Sequence, residues 1–305
     1  MFSIKCLEQL DFLDLTSKNL TYEEIKELSK TLKTNTNLTS LCLKYNKLGQ
    51  DAARELSEAL KINTTLTDLN LWGNRIGNEG VKSLSEALKI NTTLSSLNLS
   101  YNCFEGEGVI ELSEALKINT TLTFLDLYGN SFDCEGVKEL SKSLKTNTNL
   151  TSLDLGGNDI GSEQAKELSE VLKINNTLTS LDLYGNRMGY EGAKELLESL
   201  KINTTLTFLD LSHNNITANH NNITANISEL VHRSIYINKT LWTPFKHKYL
   251  EVGKKVQLEQ FATIFLLQNK HFLPIELKYL IFEFYWLELF CESVELQYML
   301  LYNFV

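Results

Sequence analysis

Aspartates and histidines are the residues of this 305-residue chain whose types could do chemistry. Four aspartates recur at a constant interval of 28 residues, and carboxylates at a fixed spacing could bind a cation: Asp126, Asp154, Asp182 and Asp210. On neighbouring strands, however, such carboxylates would stand in a row only about 5 Å apart, without the convergent cage of oxygens that a metal ion needs. The spacing therefore predicts mutual repulsion rather than a metal site.

Catalytic arrangements are not recognisable elsewhere. None of the five histidines pairs with a serine or cysteine as a nucleophile would require. His213 lies close to Asp210 and could be a base or a ligand, but an exposed residue at the end of a strand is the simpler interpretation. The glycines recur at turns of constant period rather than in a phosphate-binding loop. We therefore expect no enzyme activity, no metal and no cofactor.

Composition narrows the class of protein further. The net charge is −9, and no block of lysine and arginine stands out, so the footprint of a nucleic-acid-binding protein is missing. Five cysteines at irregular spacing indicate reduced thiols. The N-terminus does not resemble a signal peptide, and no apolar run is long enough for a bilayer. We expect a cytoplasmic protein without membrane contact, in a host cytosol if its source is a symbiont or pathogen.

A repeat of 28 residues must position these side chains. In its type unit Leu66, Leu69 and Leu71 have the spacing of a short strand with one buried face, and Asn74 follows. An asparagine at that point can bond to backbone groups of the turn with both its carbonyl and its amide. Stacked repeats should therefore form an asparagine ladder from the seven residues in this register: Asn46, Asn74, Asn102, Asn130, Asn158, Asn186 and Asn214.

The second half of each unit predicts a turn and an amphipathic helix. Residues Gly77 to Gly80 have the composition of a turn, and residues 81–90 place apolar side chains on one helical face, with Ser85 on the polar face. Asn-x-Thr triplets such as the one at Asn63 then follow. They would be glycosylation sites only in a secreted protein, so we interpret them as polar turns between a helix and the next strand.

These motifs, Leu-x-x-Leu-x-Leu-x-x-Asn with a Gly-x-x-Gly turn, resemble the leucine-rich repeats of the ribonuclease-inhibitor type. The resemblance implies an α/β solenoid, a horseshoe with parallel inner strands and outer helices. It covers about residues 7–245 of a repeat domain assigned to residues 1–245, with Lys18 in place of the asparagine in a capping first unit and a seven-residue duplication after Asn214. The units begin at Leu10, Leu38, Leu66, Leu94, Leu122, Leu150, Leu178 and Leu206.

The concave strand surface is where such arrays usually bind. Reading the strands in register places large rings and the four aspartates there, and exposed rings on an inner strand have no packing reason to be there unless a partner covers them. The aspartates have an alternative role, since they could satisfy neighbouring polar groups or face water. The predicted partner-binding residues are Trp72, Phe124, Asp126, Tyr128, Asp154, Asp182, Tyr184, Phe208 and Asp210.

Residues 246–305 abandon the repeat and are expected to be helical. The segment around Leu273-Pro274 resembles the opening of an F-box, which docks onto the Skp-type adaptor of ubiquitin ligases. That resemblance would make five residues adaptor contacts: Leu273, Pro274, Leu277, Ile281 and Phe282. The alternative is a helical cap that covers the apolar face of the last repeat.

The sequence therefore predicts a protein-interaction scaffold whose concave face binds a protein partner with a basic patch. One alternative is a substrate receptor of a ubiquitin ligase, in which the tail recruits the adaptor. Another is a GTPase-activating protein of the Ran type, which also has long leucine repeats but needs a catalytic polar residue that this sequence does not reveal.

Overall fold

A computed structural model describes residues 10–216 of the chain. Over that range eight strands of three residues each form one parallel sheet, and the strands follow one another in chain order. The register advances by one repeat at every step, so that Leu41 pairs with Leu69 and Leu69 with Leu97. The strands are β1 Phe12–Asp14, β2 Ser40–Cys42, β3 Asp68–Asn70, β4 Ser96–Asn98, β5 Phe124–Asp126, β6 Ser152–Asp154, β7 Ser180–Asp182 and β8 Phe208–Asp210.

A helix joins each strand to the next. Each helix packs against its successor, and the predicted solenoid of alternating strands and helices is confirmed. The helices are α1 Tyr22–Leu32, α2 Gly49–Leu60, α3 Gly77–Leu88, α4 Gly106–Leu116, α5 Cys134–Thr146, α6 Ser162–Leu172 and α7 Gly189–Leu200. None of the helices between residues 10 and 216 combines the length and apolarity needed to cross a bilayer.

The core lies between the sheet and the helices. The middle residue of every strand is a buried leucine, and the apolar face of each helix covers it. In the unit of β3 and α3, Leu66, Leu69 and Leu71 are at most 1% exposed, as are Val81 and Leu84. The leucine spacing thus builds one continuous core because each unit buries its apolar side only against its neighbours.

Two details of the predicted helix are wrong. Residues 77 to 80 are its first turn rather than a separate turn, since α3 begins at Gly77. Ser85 lies inside the stack, although its polarity indicated the outer face. A serine is small enough to let adjacent helices approach. The equivalent Ser57 donates its hydroxyl to the carbonyl of Ala53 one turn earlier, whereas the hydroxyl of Ser85 has no hydrogen-bond partner among residues 10–216.

The predicted asparagine ladder is confirmed along the strand-to-helix turns. The side-chain amide of Asn74 donates to the carbonyls of Leu71 (2.9 Å) and of Leu43 in the preceding repeat (2.9 Å). Its backbone N–H donates to the side-chain oxygen of Asn102, 3.0 Å away in the next repeat. Each ladder residue from Asn46 to Asn158 therefore joins three repeats, which an apolar side chain could not do.

A second ladder runs along the opposite edge, at the helix-to-strand turns. Asn63, which begins the Asn-x-Thr triplet cited above, is 4% exposed and donates to the carbonyl of Leu32 in the preceding repeat. Its oxygen accepts the N–H groups of Thr65 and Leu66. The triplet is thus a turn between helix and strand, as predicted. The members of this second ladder are Asn35, Asn63, Asn91, Asn119, Asn147, Asn175 and Asn203.

The first unit departs from the others as its sequence indicates. Lys18 occupies the ladder position of this unit, and its backbone N–H donates to the side-chain oxygen of Asn46 just as the N–H of Asn46 donates to Asn74. Thr21 and Glu24 then form a capping box at the start of α1. The duplication, which continues to Ile227, the boundary at residue 245 and the F-box-like segment extend beyond residue 216, so these predictions lie outside the described residues.

Candidate functional site on the inner face

The inner face of the sheet, on the side away from the helices, carries a row of rings that crosses the strands. Consecutive ring centroids in this row are 4.8 to 6.5 Å apart, so each ring touches the next. We call the row the aromatic rail, and its members are Tyr45, Trp72, Tyr101, Tyr128, Tyr184 and His213.

Two adjacent sequence positions supply these rings alternately. Trp72, Tyr128 and Tyr184 occupy the position two residues after the strand, and a glycine follows each of them. In the intervening repeats the ring moves one residue along, as in Tyr101. A Cβ added to Gly129, in the repeat that follows, would stand 2.7 Å from the Tyr101 ring. The glycines therefore leave the space in which the ring of the neighbouring repeat packs.

Repeat six contributes glycine at both positions and yet the row continues. A Cβ at Gly156 would stand 2.6 Å from Cδ2 of Tyr128, so the ring of Tyr128 leans over this strand. It approaches the Tyr184 ring of repeat seven with centroids 6.5 Å apart. Hydrogen bonding to the Tyr101 side chain, together with burial, raises the pKa of Tyr128 to about 12. The side chain missing from repeat six is thus replaced by its neighbour's.

The rail carries features that lower stability. Tyr45 and Tyr101 have φ angles of 54° and 52°, a left-handed conformation that glycine adopts at the same position in other repeats. Both rings remain nearly half exposed, at 48% and 47%. The indole Nε1 of Trp72 is buried and has no hydrogen-bond partner among residues 10–216. Ring packing alone does not explain why the chain keeps a left-handed backbone, exposed rings and a buried indole N–H without a partner.

The aspartates form a second row next to the rail. Each accepts the backbone N–H two residues ahead, as in the bond of 2.8 Å from Tyr184 to Asp182 Oδ1. Asn70 and Asn98 make the same bond in the earlier repeats. One role of the aspartates is therefore local, as the alternative interpretation held. We call the row the acidic ladder, and it consists of Asp126, Asp154, Asp182 and Asp210.

Electrostatic strain in this row is largest at its centre. Burial, together with the charges of Asp126, Asp182 and Asp210, raises the pKa of Asp154 to about 7. The N–H of Gly156 donates to the carboxylate and acts in the opposite direction. Asp154 is thus a poorly hydrated carboxyl group that a positive charge from outside would stabilise in its ionised form.

The two halves of the inner face differ in charge. In the first four repeats the acidic ladder's register position is occupied by Asp14, Cys42 and two asparagines rather than a run of aspartates. Here the ammonium of Lys44 lies 5.1 Å from the centre of the Trp72 ring. The negative charge is therefore concentrated in repeats five to eight.

The nine predicted contact residues all lie on this face. Phe124 and Phe208 begin their strands and are exposed, in a different row from the rail. Sequence reasoning expected no packing reason for these rings unless a partner covers them; within the chain, Trp72, Tyr128 and Tyr184 also stack with rings of other repeats, and coverage by a partner stays a prediction.

Sequence reasoning missed Tyr45 and Tyr101 and treated His213 as an ordinary residue. The signal was present in the sequence, since each of the three occupies a register position that holds glycine in most other repeats. In residues 10–216 no group of three or more histidine, cysteine, aspartate or glutamate side chains is arranged to hold a metal ion. The five F-box-like contact residues lie beyond the described part, so adaptor binding stays a prediction.

The sheet, helices and ladders define a repeat protein of the solenoid class. A family model described as Leucine Rich repeat matches seven segments that together make up about half of the chain: residues 34–57, 63–85, 91–113, 119–141, 146–169, 175–197 and 203–219. The chain belongs to the leucine-rich repeat family, and its repeats are of the ribonuclease-inhibitor type. Proteins of this family are typically interaction scaffolds. No curated protein sequence matches the chain.

Solved structures with the same kind of repeat are similar in part. The actin-binding site 2 of leiomodin-1 is 25% identical with a TM-score of 0.46, covering 55% of this chain and 92% of its own. The C-terminal domain of tropomodulin from Caenorhabditis elegans is 14% identical with a TM-score of 0.40, covering 58% and 92%. The protein LegL7 from Legionella pneumophila is 22% identical with a TM-score of 0.48, covering 74% and 72%.

Proposed function

We propose that this chain is a scaffold that binds a protein partner on its inner face, without catalysis. The aromatic rail carries this proposal, because two of its rings, Tyr45 and Tyr101, stay nearly half exposed in a left-handed backbone conformation that glycine adopts in other repeats. Tyrosine and tryptophan are the residues that most often dominate binding energy when a partner covers them. The rail therefore supplies the anchors of the interface.

The partner contributes positive charge in this proposal. The acidic ladder runs alongside the rail in repeats five to eight, and lysine or arginine near Asp154 would stabilise its ionised form, which burial and the neighbouring aspartates disfavour. Lys44 above Trp72 provides an internal example of a cation held on this row of rings. A basic, partly apolar segment fits both rows at once.

The test removes three ring anchors from the full chain. Once a partner has been isolated by affinity capture, its affinity is measured by calorimetry for wild type and for the variant Trp72→Ala/Tyr128→Ala/Tyr184→Ala. We expect a loss of at least about 100-fold, since two or more hot-spot residues are removed. Unchanged affinity would show that the partner binds elsewhere.

A control variant and a second variant that tests charge accompany this experiment. Tyr22→Ala removes an exposed ring from α1, away from the inner face, and should leave the affinity unchanged. Asp182→Asn/Asp210→Asn keeps the oxygen that accepts the backbone N–H two residues ahead, as Asn70 and Asn98 show, and removes only charge. This variant should bind more weakly and lose part of the salt dependence of binding. If this variant changes neither the affinity nor its salt dependence, the partner does not use positive charge.

A further inference from the structure

A row of exposed isoleucines runs along the helix-to-strand edge, separate from the inner face. Each follows the lysine that ends a helix, and each is between 56% and 59% exposed. The same register position holds exposed threonines in the two remaining units, Thr34 and Thr146. We call the row the isoleucine stripe, and it consists of Ile62, Ile90, Ile118, Ile174 and Ile202.

The surroundings of the stripe are electrically balanced. The lysine before each isoleucine pairs with a glutamate three residues earlier, for example Lys89 with Glu86 at 2.5 Å and Lys173 with Glu170 at 2.5 Å. Positive and negative groups therefore alternate beside the apolar row, in contrast to the acidic inner face. Such a border favours neither a basic nor an acidic partner, but it can complement a copy of itself.

The period of the stripe indicates what could cover it. Its isoleucines recur once per repeat, and a partner that contacts all of them must present apolar groups at the same period. The same edge of a second copy has that period by construction. Antiparallel pairing about a two-fold axis would place Ile62 opposite Ile202 and Ile90 opposite Ile174, with Ile118 opposite Thr146.

We propose that the isoleucine stripe is a self-association surface through which two copies of this chain form an antiparallel dimer, edge to edge. The five side chains expose on the order of 500 Å², as much as the largest apolar patch of an ordinary monomer. A standard stable interface buries roughly 800 Å² per partner. The dimer is therefore weak and dependent on concentration, and it leaves both inner faces open.

The chain itself offers the substitutions for the test. Threonine occupies the stripe's register position at residues 34 and 146, where the neighbouring ladder asparagines Asn35 and Asn147 are buried as elsewhere. Ile90→Thr/Ile118→Thr/Ile174→Thr should therefore fold and lose only apolar surface. The change Thr146→Ile does the opposite and fills the gap opposite Ile118.

Sedimentation velocity of the full chain, from micromolar to hundreds of micromolar protein, measures the monomer–dimer equilibrium. We expect wild type to dimerise, the threonine variant to dimerise at least about tenfold more weakly, and Thr146→Ile to dimerise several-fold more tightly. A wild type that stays monomeric throughout overturns the proposal, as does a dimer that the threonine variant does not weaken. Partner affinity of the inner face is a separate readout, which the threonine variant should leave unchanged.

Discussion

The asparagine ladders and the aromatic rail cross the same repeats but obey different rules. From the second unit onward, every strand-to-helix position of the ladder holds a buried asparagine, and the helix-to-strand ladder is asparagine throughout residues 10–216; these side chains bond to backbone groups of adjacent repeats. The rail changes residue type and even register position from one repeat to the next, and its rings are partly exposed. A position that stabilises the stack must be uniform because each unit faces identical neighbours, whereas a position that meets a partner need not be.

This contrast predicts that ladder substitutions destabilise the fold and that rail substitutions change binding first. The chain provides matched pairs for each case, ordered below by the size of the expected change in the free energy of unfolding.

The largest effect is expected at the second ladder. Asn175→Ala leaves the buried N–H groups of Thr177 and Leu178 and the carbonyl of Leu144 without their partner. At about 1–3 kcal/mol for each unpaired group, the free energy of unfolding should fall by about 4 kcal/mol. Urea unfolding followed by circular dichroism measures it, and the exposed neighbour variant Asn176→Ala should stay within about 0.5 kcal/mol of wild type. Equal losses for both would contradict the role of the ladder.

A smaller loss is expected where the rail meets repeat six. In Gly156→Ala the new Cβ would stand 2.6 Å from the Tyr128 ring and 3.1 Å from the carbonyl oxygen of Tyr184. Displacing the ring should cost about 1–2 kcal/mol. It should also break the hydrogen bond with Tyr101, so the pKa of Tyr128 should fall from about 12 toward its ordinary value of 10.0.

Ultraviolet titration between about pH 9 and about pH 11 detects this change, because the variant should then show one additional ionising tyrosine. Gly161→Ala is the control, since its Cβ would meet only the flexible end of Gln164. An identical titration of Gly156→Ala and wild type would mean that Tyr128 does not lie over the glycines.

Two substitutions of Tyr101 separate the free-energy cost of its left-handed backbone from the contribution of its ring packing. Tyr101→Gly relaxes a left-handed residue but removes contacts with the Trp72 and Tyr128 rings, so its stability should stay within about 1 kcal/mol of wild type. Tyr101→Ala loses the same contacts and keeps the strain, so it should be about 1 kcal/mol less stable than Tyr101→Gly. Thermal unfolding compares the two, and an alanine variant as stable as the glycine variant would exclude backbone strain at this position.

The acidic ladder gives an effect that depends on pH, smallest in acid and growing as the pH rises. Because the folded pKa of Asp154 is raised from 3.8 to about 7, its protonated form favours folding. That contribution is complete below pH 3.8 and is lost as the pH rises through 7. Asp154→Asn should therefore be more stable than wild type at pH 8, with the difference shrinking toward pH 4. A constant difference across this range would contradict the raised pKa.

Partner binding tests the same group from the other side. A cationic partner stabilises the ionised carboxylate, so wild-type affinity should rise as the pH passes through the pKa of about 7. Calorimetry in two buffers of different ionisation enthalpy would detect the released proton. The Asp154→Asn variant should show neither effect.

The fold could be predicted from the sequence to a large extent because the same pattern recurs in every repeat. The spacing of Leu66, Leu69, Leu71 and Asn74 predicts strand, buried side and turn, and repetition removes the ambiguity of a single short motif. The start of α3 and the burial of Ser85 could not be predicted, because glycine and serine lack a strong preference and adjacent repeats decide their placement.

The candidate site was only partly predictable. Trp72, Tyr128 and Tyr184 are found by aligning repeats, since they share one register position. Tyr45 and Tyr101 occupy the next position, and only three-dimensional packing shows that all five rings form one row. Periodicity assigns a side chain to a face, but it does not measure how far the ring reaches across a neighbouring strand.

The 28-residue leucine and asparagine pattern alone determined the solenoid, the number of units and the buried ladder, because those features depend only on contacts that repeat identically. Tertiary structure decided what depends on unlike neighbours. It let Tyr128 lean over Gly156 and buried Asp154 far enough to raise the pKa of its carboxyl group. These arrangements arise from side chains of different repeats meeting in space, and the order of residues within one repeat does not encode them.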